Sequence, residues 1–190
     1  VRYAFGLAAS RRRLLKVTCV DKANIFRSMA FFRRVFDEVA ASWPQLHSEH
    51  AYIDALALYM VQRPQTLDVL VMENMYGDIV SDLAAGLVGG MGMAPSADIG
   101  PQAAVFQPAH GTAPDIAGKG ICNPIATILS VAMMLEWLSE RHQDQRAARA
   151  AGAVRRAVQA VLAVPGSGTP DLGGCQTTSQ IGDAVIRALG

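Results

Sequence analysis

Hydrophobic positions recur along the chain with two spacings, one typical of strands and one typical of helices. Short runs of β-branched and apolar residues predict strands at 16–20, 50–54, 67–72 and 103–106. Apolar residues at three- and four-residue spacing predict helices at 1–8, 25–41, 55–63, 78–87, 125–140, 146–164 and 179–189. Because strands alternate with helices, the pattern predicts an α/β fold.

Composition narrows the functional classes. The chain has 51% hydrophobic residues, enough to bury a core, and a formal net charge of +1. A net charge this close to zero creates no overall electrostatic field that would attract nucleic acid or an anionic membrane. No apolar run reaches the roughly eighteen residues of a membrane span, and the first residues lack a signal-peptide core. We therefore expect a soluble cytoplasmic protein that binds neither nucleic acid nor membranes.

The three cysteines, Cys19, Cys122 and Cys175, are odd in number and far apart in the sequence, which favours reduced thiols over disulfides.

A glycine cluster ends the helix predicted at 78–87. Its members are Gly86, Gly89, Gly90 and Gly92. A dinucleotide fingerprint follows a strand and opens a helix, whereas these glycines lie at a helix carboxyl end, so we do not assign that motif. We expect the chain to cross between two domains here, with residues 1–89 in one and 90–190 in the other.

A long segment rich in glycine and proline, residues 107–124, precedes the helix predicted at 125–140. Loops of this length usually carry function, and glycines allow a ligand to approach the backbone closely. His110 alone is more often a structural residue, and Asn123 with Pro124 can simply start the helix that follows. The segment therefore predicts a ligand loop without fixing the role of each residue.

Charged residues mark two candidate chemical sites. Asp78 and Asp82 lie four positions apart on a predicted helix, where like charges repel by a few tenths of a kcal/mol. Both would bind Mg²⁺ or Mn²⁺ well, but Asp78 could instead cap the helix after Gly77. Lys22 follows a strand, where α/β proteins expose functional groups, yet a surface lysine is the commoner case. Asn24 fits a helix N-cap.

Five motifs, in order, resemble those of the isocitrate/isopropylmalate dehydrogenase family, and together they cover essentially the whole chain. The segments are 17–24 for its catalytic-lysine strand, 52–54 for its isolated metal aspartate, 73–82 for its metal helix, 110–124 for its adenosine loop and 169–174 for its late turn. The resemblance implies an isopropylmalate dehydrogenase-like three-layer αβα fold with two domains. Residues 1–89 would belong to the small dimerisation and metal-binding domain and 90–190 to the large cofactor-binding domain.

By the same resemblance, the chain corresponds to the carboxy-terminal half of the enzyme. We expect the substrate-binding arginines and the tyrosine general acid to lie upstream, and this half alone to be inactive. The family builds its active site across a homodimer, with the lysine and the isolated aspartate contributed by the neighbouring subunit. Apolar Leu83, Leu87 and Val88 are candidates for that interface, although they could equally belong to the core.

The resemblance also implies roles for single residues. Asp54, Asp78 and Asp82 would bind Mg²⁺ or Mn²⁺, while Lys22 and Asp54 would be catalytic. The NAD-binding residues would be Asn24, His110, Gly111, Thr112, Ala113, Pro114, Asp115, Ile116 and Asn123. A carboxylate at Asp115 accepts a hydrogen bond from a ribose 2′-hydroxyl and repels a 2′-phosphate, which favours NAD over NADP. Gln107 stands where many members have a glutamate, so this position keeps hydrogen bonding but not the negative charge.

The function implied is NAD-dependent oxidative decarboxylation of a 2-hydroxy acid with a carboxylate at C3. The leading candidate is 3-isopropylmalate, which would place the enzyme in leucine biosynthesis. Isocitrate, homoisocitrate, tartrate and D-malate stay open as substrates. A noncatalytic subunit would be expected to lose a metal ligand or the lysine, and a bare nucleotide-binding module would need no aspartates.

Overall fold

The computed structural model describes all 190 residues, which divide into two compact units, Val1–Ala84 and Ala85–Gly190. The boundary between them lies inside a helix, just before Gly86, the first glycine of the cluster that marks the predicted crossing. The assignment of 1–89 and 90–190 as functional domains stays a prediction.

The first unit is built on a parallel three-stranded sheet with the order β2-β1-β3. Its elements are α1 (Arg2–Arg11), β1 (Lys16–Asp21), α2 (Arg27–Ala40), β2 (His47–Tyr52), α3 (Ile53–Gln62), β3 (Val69–Val71) and α4 (Asn74–Leu87). Asp21 at the end of β1 pairs with Tyr52 at the end of β2. The carboxyl ends of these two strands therefore lie side by side.

The central strand β1 is buried on both faces. Val17 and Cys19 pack on one face against Phe5 of α1 and Phe36 of α2, whose ring centroids lie 5.3 Å apart. Val20 packs on the other face with apolar residues of α3 and α4, which include Leu56, Met60 and Val80. A strand covered on both faces needs a nearly continuous apolar run, which explains why the sequence pattern predicts β1 clearly.

The second unit combines an antiparallel hairpin with three helices. Its elements are β4 (Pro95–Ile99), β5 (Ala104–Pro108), α5 (Ile125–His142), α6 (Gln145–Leu162) and α7 (Thr178–Leu189). Its core includes Ile125 of α5, Val158 of α6 and Ile181 of α7. A capping box between Thr177 and Gln180 satisfies backbone groups at the start of α7.

The structure corrects four expectations. Helix α4 begins at Asn74, because the Glu73 carboxylate accepts hydrogen bonds from the backbone N–H groups of Met75 and Tyr76 at 3.1 and 3.0 Å. Asp78 therefore lies inside the helix and does not cap it. Asn24 is not an N-cap either, since α2 is preceded directly by Phe26. Strand β4 was not predicted.

The fourth correction concerns the orientation of α4. The apolar spacing within 78–87 predicts that Ile79, Leu83, Ala84 and Leu87 face the core, but the side chains of Ile79 and Leu87 are 64% and 44% exposed. Val80 is the buried residue at this turn, and Leu83 packs beside it. Val88, like Leu87, is exposed.

No helix of the protein combines the length and the apolar character that a crossing of a membrane would require.

Burial has a measurable consequence for the cysteines. Desolvation raises the pKa of the Cys19 thiol to about 12, and the nearby negative charge of Asp21 acts in the same direction. Because the thiolate is the reactive form, we expect iodoacetamide to alkylate exposed Cys175 and to spare Cys19 in the folded protein. Peptide mass spectrometry before and after denaturation checks this. Equal labelling of both cysteines in the folded protein would contradict the buried position of Cys19.

Candidate active site

Lys22 and Asp54 meet at the carboxyl end of the parallel sheet. Lys22 is the first residue after β1, and Asp54 lies in the first turn of α3, just after β2. Because the two strands end in register, the Lys22 Nζ and the Asp54 Oδ1 lie 2.6 Å apart. The hydrogen bond from Lys22 lowers the pKa of Asp54, and its own backbone N–H at the helix start adds to the effect. The lysine is mostly shielded and the aspartate mostly exposed.

An ion pair with a buried carboxylate lies beside the turn that carries Lys22. The Asp21 side chain is fully buried and accepts two hydrogen bonds from the Arg33 guanidinium, at 2.8 and 2.7 Å. It also accepts one from the backbone N–H of Ala23 at 2.8 Å. The Tyr52 ring lies within cation–π distance of both Lys22 and Arg33, at 5.8 and 5.3 Å. The sequence pattern did not identify Arg33, since only the folded chain brings it to Asp21.

Asp78 and Asp82 project from α4 one turn apart, and both are exposed. Neither side chain forms an ion pair within the chain. Their negative charges therefore remain free to bind a cation. The exposed apolar residues Met75 and Ile79 lie on the same helix.

A single copy does not assemble the three-carboxylate metal site. No group of three or more His, Cys, Asp or Glu side chains is arranged to hold a metal ion. Asp54 contacts Lys22 instead of joining Asp78 and Asp82. Two adjacent carboxylates match the oxygen ligands that Mg²⁺ and Mn²⁺ prefer, but they leave most coordination positions to other groups. The residues present in one copy therefore fit part of a metal site.

In the second unit, the loop after β5 borders a cavity of about 530 Å³. Its lining includes Gly90, His110, Ala113, Ile116, Asn123 and Asp171. The His110 Nδ1 lies 2.8 Å from the carbonyl oxygen of Gly111, whereas its Nε2 is buried without a hydrogen-bond partner. An unpartnered ring nitrogen beside an open cavity fits a ligand that has hydrogen-bonding groups, such as an adenosine.

The remaining residues of the predicted nucleotide loop are accessible. Gly111, Thr112, Pro114 and Asp115 are exposed, and the last two belong to a 3₁₀ turn at Pro114–Ile116. Ala113 adopts a left-handed conformation with φ 45°, which turns the chain into this helix. The Asp115 carboxylate is therefore free to contact a ligand. Asn24, in the first unit, is also exposed.

Asn123 has a structural role at the start of α5. Its Oδ1 accepts from the backbone N–H of Ile125 at 3.0 Å, and its Nδ2 donates to Asp171 at 3.0 Å and to the Met93 sulfur at 3.6 Å. Gly92 is required beside it, because an added Cβ there would lie 2.7 Å from the Asn123 Cβ. Both Nδ2 hydrogens are therefore used, and only a lone pair of the Oδ1 remains to accept a hydrogen bond from a cofactor.

Gln107 contributes to packing of the second unit. Its side-chain Nε2 lies 3.4 Å from the Asp98 carboxylate on the paired strand. Its backbone carbonyl oxygen accepts a hydrogen bond from the Ser130 hydroxyl at 2.8 Å. The neutral side chain thus links β5 to β4, while its backbone links β5 to α5.

Comparison with known proteins relates this geometry to a family. The model of the isocitrate/isopropylmalate dehydrogenase family matches residues 1–185. A 3-isopropylmalate/3-methylmalate dehydrogenase of Methanocaldococcus jannaschii is 45% identical over 99% of this chain and 55% of its own length. An isocitrate/homoisocitrate dehydrogenase of Thermus thermophilus is 47% identical over 99% of the chain and 54% of its own length. The chain thus spans about half the length of these relatives.

Solved structures show the same similarity in three dimensions. The isocitrate dehydrogenase from Methylococcus capsulatus has a TM-score of 0.91 at 43% identity, covering 99% of this chain and 54% of that protein. A β-decarboxylating dehydrogenase from Thermococcus kodakarensis has a TM-score of 0.85 at 39% identity, covering 99% and 53%. The expected isopropylmalate dehydrogenase-like fold is confirmed, and the chain belongs to the isocitrate/isopropylmalate dehydrogenase family.

Proposed function

We propose that the protein is an NAD-dependent, Mg²⁺- or Mn²⁺-dependent dehydrogenase that oxidatively decarboxylates a 2-hydroxy acid with a carboxylate at C3. The observation that carries the proposal is the contact of Lys22 with Asp54 at 2.6 Å, at the carboxyl end of the sheet of a family member. We favour 3-isopropylmalate as the substrate. Isocitrate and homoisocitrate, on which named relatives act, are the next candidates, followed by tartrate and D-malate.

The proposed chemistry divides between the chain and its cofactors. A bound cation would acidify the substrate hydroxyl and stabilise the enolate left by loss of CO₂, while bound NAD would accept the hydride. Lys22, as the neutral amine, would take the hydroxyl proton at its Nζ, directly or through a water. Asp54 holds that Nζ in place and contributes a carboxylate to the cation. Asp78 and Asp82 supply the other two protein carboxylates.

We also propose a homodimer, and the way these residues are divided within one copy supports it. In one copy Asp54 is engaged by Lys22, and the three aspartates do not converge. We propose that Lys22 and Asp54 of one copy face Asp78 and Asp82 of the other. Exposed Ile79, Leu87 and Val88 provide apolar surface on or next to the same helix, α4, for such an interface, whereas Leu83 belongs to the core.

We propose NAD as the nucleotide, bound beside the loop that contains His110 and Asp115. An exposed carboxylate at Asp115 would accept a hydrogen bond from the ribose 2′-hydroxyl and repel the 2′-phosphate of NADP. The unpartnered His110 Nε2 and the neighbouring cavity support a nucleotide at this place.

The base and metal roles are testable in the full-length protein by Mg²⁺-dependent NAD reduction with a panel of 2-hydroxy acids. We expect Lys22→Ala to lower kcat by about 10²- to 10⁴-fold, the usual contribution of a positioned base. Asp78→Asn should raise the Mg²⁺ concentration needed for half-maximal rate. Lys16→Ala is the matched control, because Lys16 is also ion-paired but lies at the other end of β1. Unchanged turnover in Lys22→Ala and Asp78→Asn would overturn the catalytic assignment.

The nucleotide preference has its own test. Replacing Asp115 with Asn removes the negative charge that would meet a 2′-phosphate, so the ratio of kcat/KM for NAD to that for NADP should fall about tenfold or more. Asp98→Asn, an exposed aspartate of β4, should leave the ratio unchanged. Steady-state kinetics with both nucleotides measure it. An unaltered ratio in the Asp115 variant would place the ribose elsewhere.

A further inference from the structure

The Asp21 carboxylate is saturated with hydrogen bonds in a fully buried position. Its Oδ1 accepts from the Arg33 guanidinium at 2.7 Å and from the Ala23 backbone N–H at 2.8 Å. Its Oδ2 accepts from the Arg33 Nε at 2.8 Å and lies 3.8 Å from the Cys19 sulfur. A two-pronged contact of this kind fixes the plane of the carboxylate as well as its distance.

The hydrogen bond from Ala23 to Asp21 spans Lys22. The carbonyl oxygen of Lys22 in turn accepts from the backbone N–H groups of Ile25 and Phe26, both at 3.0 Å. Hydrogen bonds to the residue before Lys22 and from residues after it therefore hold the backbone at Lys22. Fixing a backbone in this way limits the volume that the side-chain amine can reach.

Arg33 also reaches the surroundings of the Lys22 side chain. Its guanidinium lies 5.3 Å from the centre of the Tyr52 ring, and the Lys22 Nζ lies 5.8 Å from the same centre. Tyr52 is the last residue of β2, two positions before Asp54. Arg33 thus contacts both strand ends from which the Lys22–Asp54 pair is built.

We infer that Arg33 is a positioning residue for Lys22: it orients Asp21, which holds the turn at Ala23, and it contacts the Tyr52 ring beside the lysine. This inference rests on the proposed function of Lys22 as the base. Arg33 does not itself touch the reacting atoms. A lysine at position 33 would keep the charge but lose the planar two-pronged contact.

The test compares kcat and KM for Arg33→Gln, Arg33→Lys and the control Arg34→Gln in the full-length protein. Arg34 is the neighbouring residue on α2, is exposed and stacks on Phe31. Because a displacement of about 1 Å can cost about 100-fold in rate, we expect Arg33→Gln to lower kcat by about 10- to 100-fold. Its KM for NAD should stay unchanged. Arg33→Lys should retain more of the rate, and Arg34→Gln all of it.

Loss of folding is separated from misplacement by a double variant. Asp21→Asn with Arg33→Gln leaves no unpaired charge in the buried position, and the asparagine oxygen can still accept from Ala23. With circular dichroism confirming the fold, its kcat should remain at least about tenfold below that of the unmodified protein. Wild-type kcat in this folded variant, or equal rates for Arg33→Gln and Arg34→Gln, would overturn the inference.

Lys22→Ala, assayed in the same series, distinguishes the two levels of the proposal. If Lys22→Ala is slow but the Arg33 variants are not, only the positioning role fails. If Lys22→Ala turns over normally, the proposed function itself fails, and the positioning role fails with it.

Discussion

Parallel pairing of β1 with both of its neighbours is the constraint on which the site depends. Because parallel strands finish at one edge of a sheet, this pairing puts Lys22 beside Asp54 even though they are far apart in sequence. The register is fixed by burial, since Val17 and Cys19 face one core and Val20 faces the other. A shift of the strand register by one residue would turn Val17 and Cys19 toward the opposite face of the sheet. The Asp21 side chain would change sides as well and leave its contact with Arg33.

Two ion pairs that differ in the burial of their carboxylates lie at this edge of the sheet. The Asp21 carboxylate is fully buried, and removing Arg33 would leave it uncompensated at a cost of about 3–5 kcal/mol, so this pair is a fixed part of the structure. The pair of Lys22 with Asp54 has an exposed carboxylate, and exposed pairs add little stability. The second pair can therefore exchange its partners for a substrate or a cation without loss of the fold, which is what a catalytic role requires.

The sequence predicts the elements whose periodicity is local. The buried run of β1 and the apolar stripes of α5, α6 and α7 are visible in the pattern, and the structure confirms them. Strand β4 begins with Pro95 and continues with small and polar residues, so only its non-local pairing with β5 reveals it. The spacing of Asp78 and Asp82 left metal binding and capping open, and the Glu73 cap excluded the second. Arg33 was missed because its contact with Asp21 depends on tertiary packing. Roles for the loop residues came from motif resemblance, and they stay predictions.

We propose that two copies complete one another, with Lys22 and Asp54 of one copy facing Asp78 and Asp82 of the other. Mixing equal amounts of Lys22→Ala and Asp78→Asn subunits tests this directly, under conditions that allow exchange and at a Mg²⁺ concentration too low for Asp78→Asn to turn over. If the site is shared, one of the two sites in each mixed dimer is intact, and random pairing should restore about one quarter of the unmodified protein's activity. If each copy holds a complete site, the mixture should be as inactive as its two components, and that result would contradict the account.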